Sequence, residues 1–574
     1  MRAGRRRSRW GFEVRVDGRL VVRLWGEERV DRSRPESPRI INTWREYRFE
    51  EWEIPGRPVR AFAQLRATQD LQPVSYASLN EYGQPIWAMN FTAGAVTAHH
   101  ADGTELTGSV GSADFLMETN GLVHLGAKLV ELVEVAKIPY AGSFFSPEAL
   151  EAVPYCVQWE SPGRVLRTNL DELITVSGAR IVRMTRPDIG FEATACDLSL
   201  PRWPLRDRLG MIAPPPTARA RRSYAPPSGV RASEGTTLTK GGSTLGYTLV
   251  EPIAARPRGL AVFCGGSGSH DRHGHSFDLD LGYHQLLDQL CRRHRLSNLR
   301  FDKRGTGDTP LGGDVLEYGF EGLLDDAQRC LDLATDYSRD AGIPLLAIGH
   351  SEGGQVVLGL ANSGNPQING VILLATTAQP IDQVITDQVR RRCKELGMTA
   401  AVTQAQVDEL EEFFNYVRHC DSSEWTRGEV PDRVLVKRRQ APYYRQLLEY
   451  NSLRLIAQLR QPVLILHGTD DQQVPPRHAH QLAEAAHASG IDTTLVMIPR
   501  TNHLLKSSSV NPSIADYYDR RRPAGMAPAG DLGTAQLTAS GPGGGVCVCG
   551  GCRTMPWVGE AGVGDLTCVG LCVT

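Results

Sequence analysis

Gly349-His350-Ser351-Glu352-Gly353-Gly354 is the stretch on which the reading of this chain turns. The apolar residues Leu345–Ile348 before it have the length and character of a buried strand, and the apolar run Val356–Leu360 after it continues as a helix. A serine framed as Gly-x-Ser-x-Gly between two such elements stands on a tight strand-to-helix turn at a sheet edge. Its flanking glycines permit that turn because a Cβ there would clash.

A serine hydroxyl is a weak nucleophile by itself, so a base and an orienting acid should follow, in the order Ser, Asp, His. Both types are present. Val463–Leu466 reads as a strand and runs into His467-Gly468-Thr469-Asp470-Asp471-Gln472-Gln473-Val474-Pro475. An acid just past a strand end is where the orienting carboxylate belongs. The Asp-x-x-Val-Pro frame selects Asp471, with Asp470 as the alternative. Pro499-Arg500-Thr501-Asn502-His503 then follows the last strand candidate, and His503 is the one histidine beyond His487.

Around these residues, short apolar runs alternate with longer amphipathic ones, the pattern of a mostly parallel α/β sheet. Strands are expected at Thr236–Thr239, Leu245–Val250, Gly259–Phe263, Ser297–Phe301, Leu345–Ile348, Val371–Leu374, Val463–Leu466 and Thr494–Ile498. Helices are expected near His284–Arg293, Phe320–Tyr337 and Glu352–Ala361, and after Pro476. Residues 379–460 are charged and helical in period. An insertion of that kind after a strand end is expected to be a lid.

Three further stretches carry a family likeness. Gly265-Gly266-Ser267-Gly268-Ser269-His270-Asp271-Arg272 resembles a Gly-Ser-Gly-x-x-Asp-Arg oxyanion loop. Asp302-Lys303-Arg304-Gly305-Thr306-Gly307 resembles a post-strand turn, and Gly349–Gly354 a nucleophile elbow. The chain from about 235 to 518 thus resembles an α/β-hydrolase of the serine-aminopeptidase-like, carboxylesterase branch. The resemblance implies an eight-stranded, mostly parallel sheet with a helical lid, and acyl transfer through Ser351, Asp471 and His503. It implies backbone oxyanion donors at Glu352 and Ser267, with Gly266 or Gly268 as alternatives to Ser267. The Glu352 side chain is expected to cap its helix, where the dipole favours a carboxylate. Asp302, Lys303 and Arg304 are expected to form a structural ion network, and Cys264 to be a small buried residue. His270, His273 and His275 invite a metal reading. A serine triad is complete without one, so no metal and no cofactor is expected.

Outward from that half, the organisation changes. Residues 201–234 hold Pro214-Pro215-Pro216, Pro226-Pro227 and many arginines, the composition of a linker. Residues 41–200 carry short β-branched and aromatic runs separated by turn signals, so a mainly antiparallel β domain is expected. One helix is expected within it, at Leu122–Ala136. Residues 1–40 are Arg-rich and polar and are expected to be partly disordered. In 522–574, Cys547, Cys549, Cys552, Cys568 and Cys572 crowd a Gly-rich tail. That tail reads as disordered or as an accidental extension, with a zinc site or a modified peptide as weaker readings.

The 574 residues are 41% hydrophobic and 22% charged with a net charge of −2, an ordinary globular balance without a basic field for nucleic acid. No apolar run reaches the roughly 18 residues of a membrane span. The arginines of Met1–Arg9 have no apolar segment behind them, so no secretory signal is expected and the expected location is cytoplasmic. The expected partner is a small ester or acyl compound, and the oligomeric state is not legible. A peptidase, a thioesterase or an acyltransferase could use the same residues. A protein that binds a ligand or partner through the β domain is the reading from another class.

Overall fold

The computed structural model describes residues 5–197, 224–419, 441–508, 536–540 and 545–549, apart from short stretches at 32–35, 48–58, 81–84, 93, 101–104, 112, 119–121, 135–136, 148–150, 240–241, 269, 276–279, 311–314, 365–366 and 396. Of the expected linker 201–234, residues 201–223 fall outside the described residues, as does most of the Cys-rich tail, whereas Val230–Leu238 is a strand. The chain divides into two compact units, one of Met1–Arg219 with Ile385–Pro442, the other of Ala220–Val384 with Tyr443–Thr574. Among the described residues no helix is long and apolar enough to cross a membrane.

The first unit is built on a fifteen-stranded sheet. Its pairing is antiparallel throughout, except where Phe115–Leu116 runs parallel to Tyr140–Ser146. Arg5–Val16 and Arg19–Asp31 form a hairpin around Asp17-Gly18, both with positive φ (48° and 76°). The N-terminal segment is therefore ordered β structure from Arg5 and not the partly disordered stretch expected. An Asp-Gly pair matches the twist of a two-residue hairpin, and Phe12, Val14, Val22 and Leu24 on its arms are buried. The expected helix is present as Leu122–Glu134. It buries Leu122, Leu125, Leu129 and Leu132 among Phe12, Leu24, Phe145 and Tyr155 of the sheet. The contact with the hairpin is close: a Cβ on Gly26 would lie 2.4 Å from Val123 Cγ1. Helix Ala400–His419 belongs to this unit as well, and the Thr399 N–H just before it donates to Asp17 Oδ2 at 2.7 Å.

The second unit carries an eight-stranded sheet. Its strands are β1 (Val230–Leu238), β2 (Thr244–Pro252), β3 (Gly259–Cys264), β4 (Leu296–Phe301), β5 (Leu345–His350), β6 (Ile368–Leu374), β7 (Val463–Gly468) and β8 (Thr493–Ile498). They lie in the order β1-β2-β4-β3-β5-β6-β7-β8. β2 runs antiparallel to both its neighbours, and β4 to β8 continue in parallel. Strands β3, β4, β5 and β7 are buried from end to end, and β6 at every residue but Asn369, as expected of parallel strands covered on both faces. Helices α1 (Tyr283–His294), α2 (Val315–Ala341), α3 (Glu352–Asn362) and α4 (Arg477–Ala488) fill the crossovers. One core gathers Val262, Leu345, Val356, Leu373 and Ile465, and a second gathers Phe263, Ile348, Leu374, Leu466 and Ile498. Because β5, β6, β7 and β8 point the same way, the loops after them emerge at one edge of the sheet, where open α/β sheets bind ligands.

Candidate active site

Ser351 is the single residue between β5 and α3. Its backbone sits at φ 52°, ψ −118°, a conformation L-residues occupy only where the surroundings over-determine it. The surroundings are glycines with no room for a side chain. A Cβ on Gly349 would stand 2.2 Å from Gly353 O, and one on Gly353 would stand 2.1 Å from Cys264 O. The Ser351 N–H donates to Leu374 O of β6 at 2.8 Å, so the turn is also tied to the neighbouring strand.

Asp471 lies past the end of β7 and is buried. Its Oδ1 accepts from the N–H groups of Gln473 and Val474, at 2.8 Å each. Its Oδ2 meets His503 Nδ1 at 2.8 Å and His467 Nε2 at 3.2 Å. Burial opposes ionisation, but the His503 charge and the imidazole hydrogen bonds outweigh it and hold the carboxyl well below the usual range. Asp470 does not join this group; its Oδ1 accepts from Thr469 Oγ1. Of the two adjacent aspartates, Asp471 is the one brought to the imidazole.

His503 is presented by a loop that Asn502 pins. Asn502 Oδ1 accepts from the N–H groups of Leu504 at 3.0 Å and Lys506 at 3.1 Å. Among the described residues no hydrogen bond joins the Ser351 hydroxyl to His503. His350, the residue before Ser351, lies against the His503 ring with centroids 4.9 Å apart, and its Nε2 hydrogen-bonds His503 O at 2.8 Å. A carbonyl only accepts, so His350 Nε2 carries the proton and Nδ1 is the acceptor. Tyr283 OH donates to that Nδ1 at 2.9 Å, and its oxygen in turn accepts from Gly266 N–H at 3.1 Å. Burial first, and the His503 charge second, push the His350 pKa down to about 3, which keeps this tautomer in place. No signal in the sequence marks Tyr283, 67 positions before His350.

The same chain of bonds bears on the loop after β3. Gly266 N–H is already committed to Tyr283, which removes it from the alternatives for an oxyanion donor. Gly266 O accepts from Lys303 Nζ at 2.6 Å and from His270 Nε2 at 2.8 Å. A trans peptide directs its C=O and N–H to opposite sides. Fixing Gly266 O therefore also fixes the direction of the Ser267 N–H. Among the described residues that N–H has no partner. Nor does the Glu352 N–H, which as the first residue of α3 has no intrahelical acceptor.

The Glu352 side chain does not cap its helix. It binds Lys303 Nζ at 2.8 Å through one oxygen and the Tyr443 hydroxyl through the other. A buried cation and anion in contact satisfy each other where either alone would be costly. Arg304 pairs with buried Asp326, and Asp302 accepts the N–H groups of Arg272 at 2.9 Å and Asp308 at 2.7 Å. The expected ion network thus exists, with Lys303 linking it to the loop. Cys264 is buried, and burial pushes its thiol up to about 12, consistent with a packing role.

A sheet of this order, with a strained serine after its central strand and a carboxylate–imidazole pair on the loops after β7 and β8, defines an α/β-hydrolase domain. Residues 257–507 match the family model described as serine aminopeptidase, S33, and this part of the chain belongs to the α/β-hydrolase superfamily. Among solved structures, a thermostable carboxyl esterase from Bacillus coagulans is similar at 17% identity over 47% of this chain and 90% of its own, with a TM-score of 0.33. An esterase from Pyrococcus furiosus is similar at 13% identity over 48% and 84%, with a TM-score of 0.33. The esterase domain of a Rhodothermus marinus protein is similar at 17% over 50% and 93%, with a TM-score of 0.30. Likenesses at those TM-scores are too slight to speak to activity. No curated protein matches the sequence.

Proposed function

We propose that the second unit is a serine hydrolase that cleaves carboxylic esters through an acyl-enzyme. Ser351 Oγ attacks the ester carbonyl while His503 Nε2 takes its proton. Asp471 holds the imidazole with Nδ1 protonated and stabilises the imidazolium. The oxyanion is received by the N–H groups of Glu352 and Ser267. Each preorganised donor of this kind is worth about 3–4 kcal/mol in the transition state. The imidazolium then protonates the departing alkoxide. Water, activated by the same histidine, releases the acid and restores Ser351.

The observation that carries this reading is the Ser351 turn. A non-glycine residue at φ 52°, ψ −118°, outside the left-handed helical region and between a fully buried strand and a helix packed on it, is strained backbone. Strain of about 1–3 kcal/mol persists where a function needs it. The Asp471–His503 hydrogen bond supports the reading from the opposite side of the site.

The test is a panel of p-nitrophenyl esters, from acetate to palmitate, on the purified chain and on Ser351→Ala. Turnover is expected in the parent and is expected to fall by at least about 10⁴-fold in the variant, as for other nucleophile deletions. The preferred acyl length would size the pocket. Turnover unchanged in Ser351→Ala would overturn the proposal. Offering alcohols, thioesters or amides in place of the ester and water separates ester hydrolysis from thioester hydrolysis, peptide cleavage and acyl transfer by product.

A further inference from the structure

The sequence groups His270, His273 and His275, but the structure separates them. His270 turns to Gly266 O, and His273 stacks on Tyr224 with ring centroids 4.1 Å apart. His275 instead meets two residues that the sequence does not place beside it. A backbone bridge sets it opposite Asp280, and its ring lies 5.1 Å from that of His284, in the first turn of α1. One ligand-capable atom from each of His275, Asp280 and His284 lies within 4.8 Å of the other two.

The partners of these side chains suit metal ligation. His284 Nδ1 donates to His273 O at 2.9 Å. That bond fixes the tautomer and leaves the lone pair on Nε2, the usual arrangement of a ligating histidine; Nδ1 is the atom 3.8 Å from Asp280 Oδ1, so ligation through Nε2 takes a turn of the ring. His275 Nδ1 is buried and makes no hydrogen bond, although Asp271 Oδ2 is 3.4 Å away. Asp280 Oδ1 accepts from Gly282 N–H at 2.8 Å, which orients the carboxylate. Asp271 braces the loop by accepting the N–H groups of His273 and His275, both at 2.9 Å. The nearby cations are already engaged: Arg300 pairs with Asp288 at 3.1 Å, and Lys506 Nζ donates to Asp280 O at 2.6 Å. All three candidate ligands keep some exposure, between 13% and 30% of the side chain, so an ion can enter.

We propose that His275, Asp280 and His284 bind a divalent transition-metal cation of the zinc class, clamping the segment after the oxyanion loop to the start of α1. Two imidazoles and one carboxylate are a common zinc set, with an open fourth position. They exclude magnesium or calcium, which take oxygen ligands. Zinc bonds of about 2.0–2.2 Å would draw the three ligand atoms closer by roughly an ångström, which rotamer adjustment supplies. The inference stands apart from the chemistry assigned to Ser351.

The test is calorimetric titration of Zn²⁺ into the full chain, with accessible thiols first blocked by iodoacetamide so that the tail cysteines take no part. A saturable site is expected, together with a Zn²⁺-dependent rise in Tm. His284→Ala and Asp280→Asn are each expected to weaken binding at least tenfold and to remove the rise. Asp280 is the more exposed of the two, so its variant decides the matter should His284→Ala fail to fold. Absence of saturable binding in the parent chain, or binding undiminished in Asp280→Asn, would overturn the proposal.

Discussion

The Tyr283 hydroxyl joins the two loops that the proposed chemistry requires. It takes the Gly266 N–H on one side and feeds His350 on the other, and His350 in turn holds the His503 carbonyl. Tyr283→Phe would leave a buried N–H and a buried imidazole nitrogen without partners, at about 1–3 kcal/mol each. The expected outcome is a lower Tm and a lower kcat with little change in KM, read from thermal unfolding and ester kinetics. At this scale the sequence was informative where chemistry is local. The Asp-x-x-Val-Pro frame distinguishes Asp471 from Asp470 because Val474 N–H, three residues on, binds the same carboxylate. It was silent where partners are remote. The attachment of Glu352 to Tyr443, 91 positions later, and the meeting of His275 with His284 depend on how the chain returns, which no local spacing records.

At the scale of elements, the elbow is the most constrained piece. Gly353→Ala would force a Cβ against Cys264 O and Gly265 O, backbone atoms that cannot swing away. Overpacking of this sort costs about 1–3 kcal/mol or more. The variant is expected to unfold at lower denaturant and to lose ester turnover; a variant with parental stability would contradict the packing described. The parallel strands were legible because they are buried on both faces and read as short unbroken apolar runs. Gly259–Phe263 was expected and Gly259–Cys264 is found. The first hairpin was not read, although Trp10, Phe12, Val14 and Val16 alternate and pack on the core, because the arginines of Arg5–Val16 dominate its composition. Its Asp17-Gly18 turn was the other signal available.

At the scale of the molecule, acid should act through imidazoles that the fold keeps neutral. Burial first, with the neighbouring charges of His503 and Lys303 respectively, lowers His350 to about 3 and His270 to about 4, against 6.5 in an open chain. Between pH 6.5 and 4 the unfolded chain therefore binds protons that the folded chain does not. Stability then rises with pH across that window and is lost on acidification, by up to about 1.4 kcal/mol per pH unit for each imidazole. Urea unfolding at pH 7 and pH 5 should show the loss. His270→Gln, which retains an N–H donor for Gly266 O, should reduce it, and a midpoint independent of pH would contradict the assignment. The division of the chain into units was legible only in part. Composition marks a change near residues 201–234, whereas the grouping of Ile385–Pro442 with the N-terminal residues arises from tertiary packing that periodicity does not encode.

The central claim is that Ser351 is an activated nucleophile. The most direct measurement is intact-protein and peptide mass spectrometry after exposure of the folded chain to a fluorophosphonate. One phosphonyl adduct is expected, on the peptide that contains Ser351, and none in Ser351→Ala or after acid unfolding. A folded chain that acquires no adduct, or acquires it equally in Ser351→Ala, would contradict the account.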